Sequence, residues 1–230
     1  MSATTPLRDR AMDAAVVMGR NRENVAVGNE IVRHRLASRL IHWSVALTFF
    51  ASLFSGLPIW TPVFGWMATF FGGLSVCRWL HAWAGIAFTV ASLVMFVHWV
   101  GEMAMTADEK SWIGPKLFEY LRYQGDESQV GKYNGGQKIF FYTAGLGALG
   151  LLVSGVVLWF PLKFPQIVRE LAILLHDVTF VLFAVSIVFH IYLATAAEPG
   201  TFGAMTRGTV TRAWAKLHHA RWYREVTGEK

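Results

Sequence analysis

The chain has 230 residues, of which 54% are hydrophobic and 16% charged, against about 25% charged in an ordinary soluble domain. Its single cysteine, Cys77, excludes an intrachain disulfide, a CxxC metal site and a CxxCH attachment motif, and is read as a bystander. The net charge of +6 does not point to nucleic acid, because the basic residues sit just outside apolar runs, where membrane topology puts them.

In chain order, residues 1–32 form a polar N-terminal extension with no apolar signal-peptide core, expected to be mobile unless a partner orders it. The first span is predicted at 40–57, beginning beside Arg39, which can snorkel, and carrying His42. Pro58 and Pro62 are expected to break that helix. The apolar stretch VFGWMATFFGGLSV at 63–76 is too short to cross and is expected at the interface or against the bundle.

A second span at 79–101 carries His81 near its start and His98 near its end. A charged loop over 102–136 follows, with Glu102, Asp108 and Glu109 read as solvated charges in preference to groups that feed protons. The third span, 137–160, contains Gly145, Gly147, Gly150 and Gly155, and is preceded by VGKYNGGQK at 130–138. The fourth, 169–195, holds His176 and His190. Residues 33–200 thus form a four-span domain, and 201–230 a basic tail in which His218 and His219 are read as surface or subunit-contact residues.

Sidedness follows from Lys and Arg. Arg33, Arg35 and Arg39, then Lys110, Lys116, Arg122, Lys132 and Lys138, then Arg207, Arg212, Lys216, Arg221, Arg224 and Lys230 lie on one side. Only Arg78, Lys163 and Arg169 lie on the other. Both termini and the 102–136 loop are therefore expected in the cytoplasm.

Histidine is costly in hydrocarbon, so an intramembrane histidine is a functional hypothesis by default. His176 and His190 are separated by about 21 Å of helix rise and by only about 40° of rotation. They read as two stacked sites on one helix face. His81 matches His176 in depth, and His42 matches His190, giving two bis-histidine pairs. His98 is a rival to His42, but its spacing from His81 turns it about 100° off one face. Zinc sites want three or four protein ligands, whereas a haem needs only axial ones. Each histidine can alternatively be satisfied by backbone carbonyls or water, and the small residues of span three also suit close helix packing.

RLIHW at 39–43, RWLHAWAG at 78–85, VGKYNGGQK at 130–138, LLHDV at 174–178, VFHIYLA at 188–194 and TRAWAKLHHARWYREV at 211–226 resemble the cytochrome b (gamma) subunit of membrane-bound formate dehydrogenases. The resemblance runs from about residue 33 to the end; residues 1–32 have no counterpart in it. It implies an all-α, integral membrane four-helix bundle with two b haems in a bacterial inner membrane. His42 and His190 match the ligands of the cytoplasmic-side haem, and His81 and His176 those of the periplasmic-side haem. His98 matches no ligand. The resemblance also implies that VGKYNGGQK forms the quinone site, with Asn134 and Gly136 in it and Gly135 standing where the family has alanine. Read alone, those residues suit either a quinone contact or a tight turn into span three.

The implied function is electron transfer from a partner iron–sulfur subunit through two haems to menaquinone or ubiquinone. Formate oxidation would occur on a separate molybdenum or tungsten subunit, and the whole complex can oligomerise. Ser44, Asp177 and Thr179 are candidates to orient the axial rings, and Arg39 and Arg78 to pair with haem propionates or simply anchor the membrane edge. Rival readings are the cytochrome b of a nickel–iron hydrogenase or of a thiosulfate or polysulfide reductase. A haem-free anchor or transporter is a further rival, but the inverted repeats of many transporters are lacking.

Overall fold

The computed structural model describes residues 7–110 and 128–229; Lys116, Arg122, Lys230 and the Asp108 side chain lie outside what it describes. Among the described residues, four helices are long and apolar enough to cross a membrane. They are α2 (Leu36–Trp60), α4 (Leu74–Trp99, continued by a 3₁₀ turn to Glu102), α5 (Gly135–Trp159) and α6 (Gln166–Tyr192, continued by a π-helical turn over Leu193–Ala197). Each begins or ends within a few residues of its expected span. The stretch after α2 forms a 3₁₀ helix (Pro62–Met67) and the single turn α3 (Ala68–Phe71), in keeping with its short length.

Pro58 does not end α2, which continues to Trp60. A proline in the last turn forfeits only its own N–H bond to the carbonyl one turn back, and little helix follows to be disrupted. The break comes at Thr61, whose side chain caps the next helix with Pro62 at its first position.

The chain divides into two compact units: Ile41–Trp99 with Tyr142–Val188, and Met1–Leu40 with Val100–Phe141 and Phe189–Lys230. The first, the span unit, is a four-helix bundle. Its core takes one residue from each helix: Phe49 of α2, Phe88 of α4, Ala148 of α5 and Phe183 of α6. The three rings form a triangle with centroids 5.3, 5.8 and 5.7 Å apart, and such pairs add about 0.5–1.5 kcal/mol each beyond area burial.

The second unit contains both chain ends. α1 (Leu7–Met18) precedes β1 (Val25–Val27) and β2 (Glu30–Val32), and the tail adds α7 (Thr201–Thr206), β3 (Thr209–Thr211), α8 (Arg212–His218) and α9 (Ala220–Thr227). The strands form an antiparallel sheet in the order β1-β2-β3, with Ile31 opposite both Ala26 and Val210. The N-terminal extension, expected to be mobile, is instead ordered through residues 25–32 by pairing with the tail. Ile31, Val210, Trp214, Ala215, Trp222 and Tyr223 bury their side chains together and supply the reason.

Gly208 makes the crossing possible. Its φ is +89°, and a Cβ there would lie 2.5 Å from the His34 carbonyl. Its own carbonyl accepts from the N–H groups of Arg33 and His34.

Candidate functional site

Within the span unit, the structure brings the rings of His81 of α4 and His176 of α6 close together, edge to face. Their ring centroids are 6.1 Å apart and the planes are inclined by 73°. The Nδ1 of His81 lies 2.9 Å from the Ser52 carbonyl on α2. A carbonyl can only accept, so Nδ1 carries the proton and Nε2 keeps its lone pair. The Nδ1 of His176 lies 2.9 Å from Ser154 Oγ on α5. That hydroxyl already donates to Gly150 O at 2.7 Å, so it accepts from His176, whose Nε2 is likewise left basic. Each of the four spans therefore contributes one part: a ring, a ring, and two groups that set the tautomers.

Two imidazoles bound on opposite sides of one metal, with metal–nitrogen bonds of about 2 Å, hold their centroids roughly 6 Å apart. The observed pair meets that spacing, and hydrogen-bonded Nδ1–H groups are how metal-bound histidines are normally oriented. The helix surfaces fit as well. A Cβ on Gly56 would lie 2.8 Å from the His81 ring, one on Gly155 would lie 3.6 Å from His176, and one on Gly85 would meet nothing within 4 Å. No group of three or more His, Cys, Asp or Glu side chains among the described residues is arranged to hold a metal ion. Two histidines with no such group beside them fit the ligand demand of a haem better than that of a zinc site.

Gly56→Ala therefore has a sharp expected outcome. The methyl group forces the His81 ring out of its bond to Ser52, and haem content falls while the chain still inserts. Parallel haem and protein determinations on the purified variant check it.

His42 and His190 fall in different units, and each is described by its own surroundings. His42 stands edge-on to Trp43, with centroids 5.3 Å apart. His190 is stacked on Phe140 at 4.9 Å and 8°. His98 contacts the neighbouring Trp99 ring at 4.8 Å, edge to face.

The VGKYNGGQK segment forms a capping box at the start of α5. Asn134 Oδ1 accepts from Gln137 N–H at 2.8 Å, and Gln137 Oε1 accepts from Asn134 N–H at 3.1 Å. Asn134, Gly135 and Lys138 are buried and Gly136 is half-buried. The turn reading of these residues is thus satisfied in full.

Two titratable residues, Glu109 and His219, differ from their sequence reading. Glu109 is not a solvated loop charge: it is 8% exposed and paired with Lys138 at 2.6 Å. Burial pushes its carboxyl up, but hydrogen bonds from Lys138 and Thr106 and the Lys138 charge outweigh that and leave it below the usual value. Arg39 donates to the Thr206 carbonyl at 2.7 Å, which gives it a structural duty in the tail. His219 is no surface residue: it is 1% exposed, lies against Trp214, and its Nδ1–H donates to Gly131 O at 2.6 Å.

Burial, and then the Arg33 charge, hold the His219 imidazole well below its ordinary value, with His218 adding slightly and the Gly131 bond opposing. The unfolded chain therefore takes up a proton near pH 6.5 that the folded unit refuses. Stability is full above that pH and declines as pH falls below it. Hydrogen exchange over residues 209–227 should quicken between pH 7 and 5.5, and His219→Asn should flatten that dependence.

The family model for prokaryotic cytochrome b561 matches residues 33–208. The chain belongs to that family. This cytochrome is 36% identical over 202 residues, 85% of its length and 91% of the relative's, to the nitrate-inducible formate dehydrogenase cytochrome b556(Fdn) subunit of Escherichia coli K12. It is 36% identical over 199 residues to the E. coli K12 formate dehydrogenase cytochrome b556(fdo) subunit, covering 93% of it. The formate dehydrogenase cytochrome b556 subunit of Haemophilus influenzae is 35% identical over 201 residues, covering 85% of this chain and 83% of that relative. Membership in a b-type cytochrome family agrees with the histidine pair and gives the chain the role of a membrane redox subunit. The matched region begins at residue 33, so α1, β1 and β2 lie outside it.

Ser52 and Ser154 went unnoticed in the sequence, where Ser44, Asp177 and Thr179 are the candidates. Ser52 acts through its backbone, which no side chain advertises. Ser154 did carry a signal, as a lone hydroxyl in an apolar run at the depth of His176.

Proposed function

We propose that this cytochrome is the membrane subunit of a formate dehydrogenase and passes electrons from a partner iron–sulfur subunit through two b haems to a membrane quinone. The observation that carries the reading is the His81–His176 pair, its rings 6.1 Å apart and both Nδ1 protons committed, which leaves both Nε2 atoms basic. The second site is His42 with His190, taken from their depth in the sequence and from the resemblance. The chain spans a bacterial inner membrane, and the Lys and Arg distribution supports cytoplasmic termini.

A b haem held by these residues supplies a one-electron relay. The chain's own groups do the rest. Ser52 and Ser154 fix the ring tautomers and so raise the basicity of the ligating nitrogens. The apolar span unit excludes water around them. In the 130–138 segment, Asn134 donates to a quinone carbonyl, and Gly136 allows the ring close to backbone. Quinone takes two electrons and two protons to become quinol. Proton uptake from the cytoplasm, combined with inward electron movement, charges the membrane by about 2.3 kcal/mol per charge per 100 mV. Formate is oxidised on a separate molybdenum or tungsten subunit.

The test is a pyridine haemochrome determination on the purified complex, with the chain quantified in the same sample. About two b haems per chain support both pairs, one removes a pair, and none ends the electron-transfer reading.

A further inference from the structure

Three consecutive carbonyls of the segment that leads to Asn134 are each held by residues from the chain ends. Val130 O accepts from the N–H groups of Arg221 and Trp222, at 3.1 and 3.4 Å. Gly131 O accepts from the His219 ring at 2.6 Å. Lys132 O accepts from Arg33 Nη2 at 2.5 Å. The grip is rigid on both sides. Arg33 is 3% exposed, and its guanidinium carbon lies 4.9 Å from the Trp214 ring, 5.5 Å from Trp222 and 5.8 Å from Tyr133. The Lys132 ammonium is bound in turn by Glu23 at 2.6 Å and by Glu102 at 2.8 Å. Two residues later the chain reaches Asn134 and enters α5.

We propose that the His219–Trp222 turn of the tail, together with Arg33, is a clamp that positions Asn134 for quinone, with His219 as its positioning residue. The proposal rests on the reading of 130–138 as a quinone site. A capping box alone fixes Asn134 relative to α5. It leaves the backbone before Asn134 free to swing, and a swing of one peptide redirects the amide that must meet a quinone carbonyl. Fixing three successive carbonyls removes that freedom before quinone arrives, so the ordering cost is met in folding and not in binding. His219 suits the task because its tautomer is dictated by a carbonyl partner and its ring is locked against Trp214. Its reach is also specific: the donor must sit at the Nδ1 position.

That requirement gives the test. Asparagine places an amide nitrogen near the Nδ1 position, whereas glutamine places it farther out, and both are polar and similar in bulk. Membranes holding the intact complex are reduced with dithionite, and haem reoxidation by a short-chain ubiquinone or menaquinone is followed as quinone is titrated. Hydrogen exchange over 130–137 is measured on the same samples. His219→Asn should keep the quinone half-saturation concentration within about threefold of the parent. His219→Gln should raise it about tenfold and speed exchange in 130–137, with maximal rate and haem content held, as expected for one lost buried hydrogen bond. Equal half-saturation in the two variants overturns the clamp. Asn134→Ala is run beside them. If it leaves half-saturation unchanged, the quinone reading of the loop fails and the clamp falls with it. If it raises half-saturation while His219→Gln does not, only the clamp fails.

Discussion

His176→Leu is expected to remove one b haem per chain and leave the other in place. The argument is local. A haem without a covalent tether is held by its axial nitrogens and its pocket, and this chain has no CxxCH motif. Leucine removes one nitrogen and leaves Ser154 Oγ without its 2.9 Å partner, while His81 keeps its bond to Ser52. His81→Leu should behave the same way, and the pair of substitutions should lose no more than either one alone. Ser154→Ala is the milder version, because orienting groups are typically worth 10–100-fold in metal affinity. His42→Leu should remove the other haem. Haemochrome and low-temperature absorption spectra separate the two losses, and removal of the second haem by His98→Leu in place of His42→Leu would overturn the pairing.

Lys138→Ala is expected to destabilise the terminal unit by about 3–5 kcal/mol, because it strands a buried carboxylate. The Lys138 and Glu109 side chains are 6% and 10% exposed, and Lys138 also donates to Ala104 O at 2.8 Å. Glu109 further accepts from Thr106 N–H at 2.9 Å, so the pair staples residues 104–109 to the first turn of α5. Lys138→Met combined with Glu109→Leu should recover most of the loss, since replacing both partners by apolar groups is often neutral. The sign with pH is set by Glu109, whose carboxyl is held below its usual value. The pair's contribution is present above about pH 4.3 and disappears as pH falls through the lower folded value. Denaturant unfolding of the two variants in detergent, monitored by hydrogen exchange at 104–109, checks magnitude and sign.

The legible features were those that depend on composition over long windows. Twenty apolar residues cannot hide, and the four spans were found to within a few residues. The closeness of His81 to His176 was legible because depth in a membrane converts sequence position into a coordinate. Three things resisted for physical reasons. The sheet joins three-residue strands whose partners, such as Ile31 and Val210, lie far apart in sequence, so no local pattern announces it. Glu109 read as solvated because its partner Lys138 sits in the next helix, across a long loop. His219 read as a surface residue because its neighbours in sequence are basic, and the cue that corrects this is the flanking pair Trp214 and Trp222, both buried.

The central strand of that sheet has a further consequence, for biosynthesis. β2 lies between β1, which precedes it, and β3, which is made some 180 residues later. At about 5–20 residues per second, Ile31 emerges roughly ten to forty seconds before Val210 exists. All four spans are synthesised in that interval, while one edge of the β1–β2 hairpin stays open to any passing strand. A chain interrupted before residue 209 keeps that open edge, so premature termination is expected to be read by chaperones and proteases as an unfinished sheet even when every membrane helix is in place.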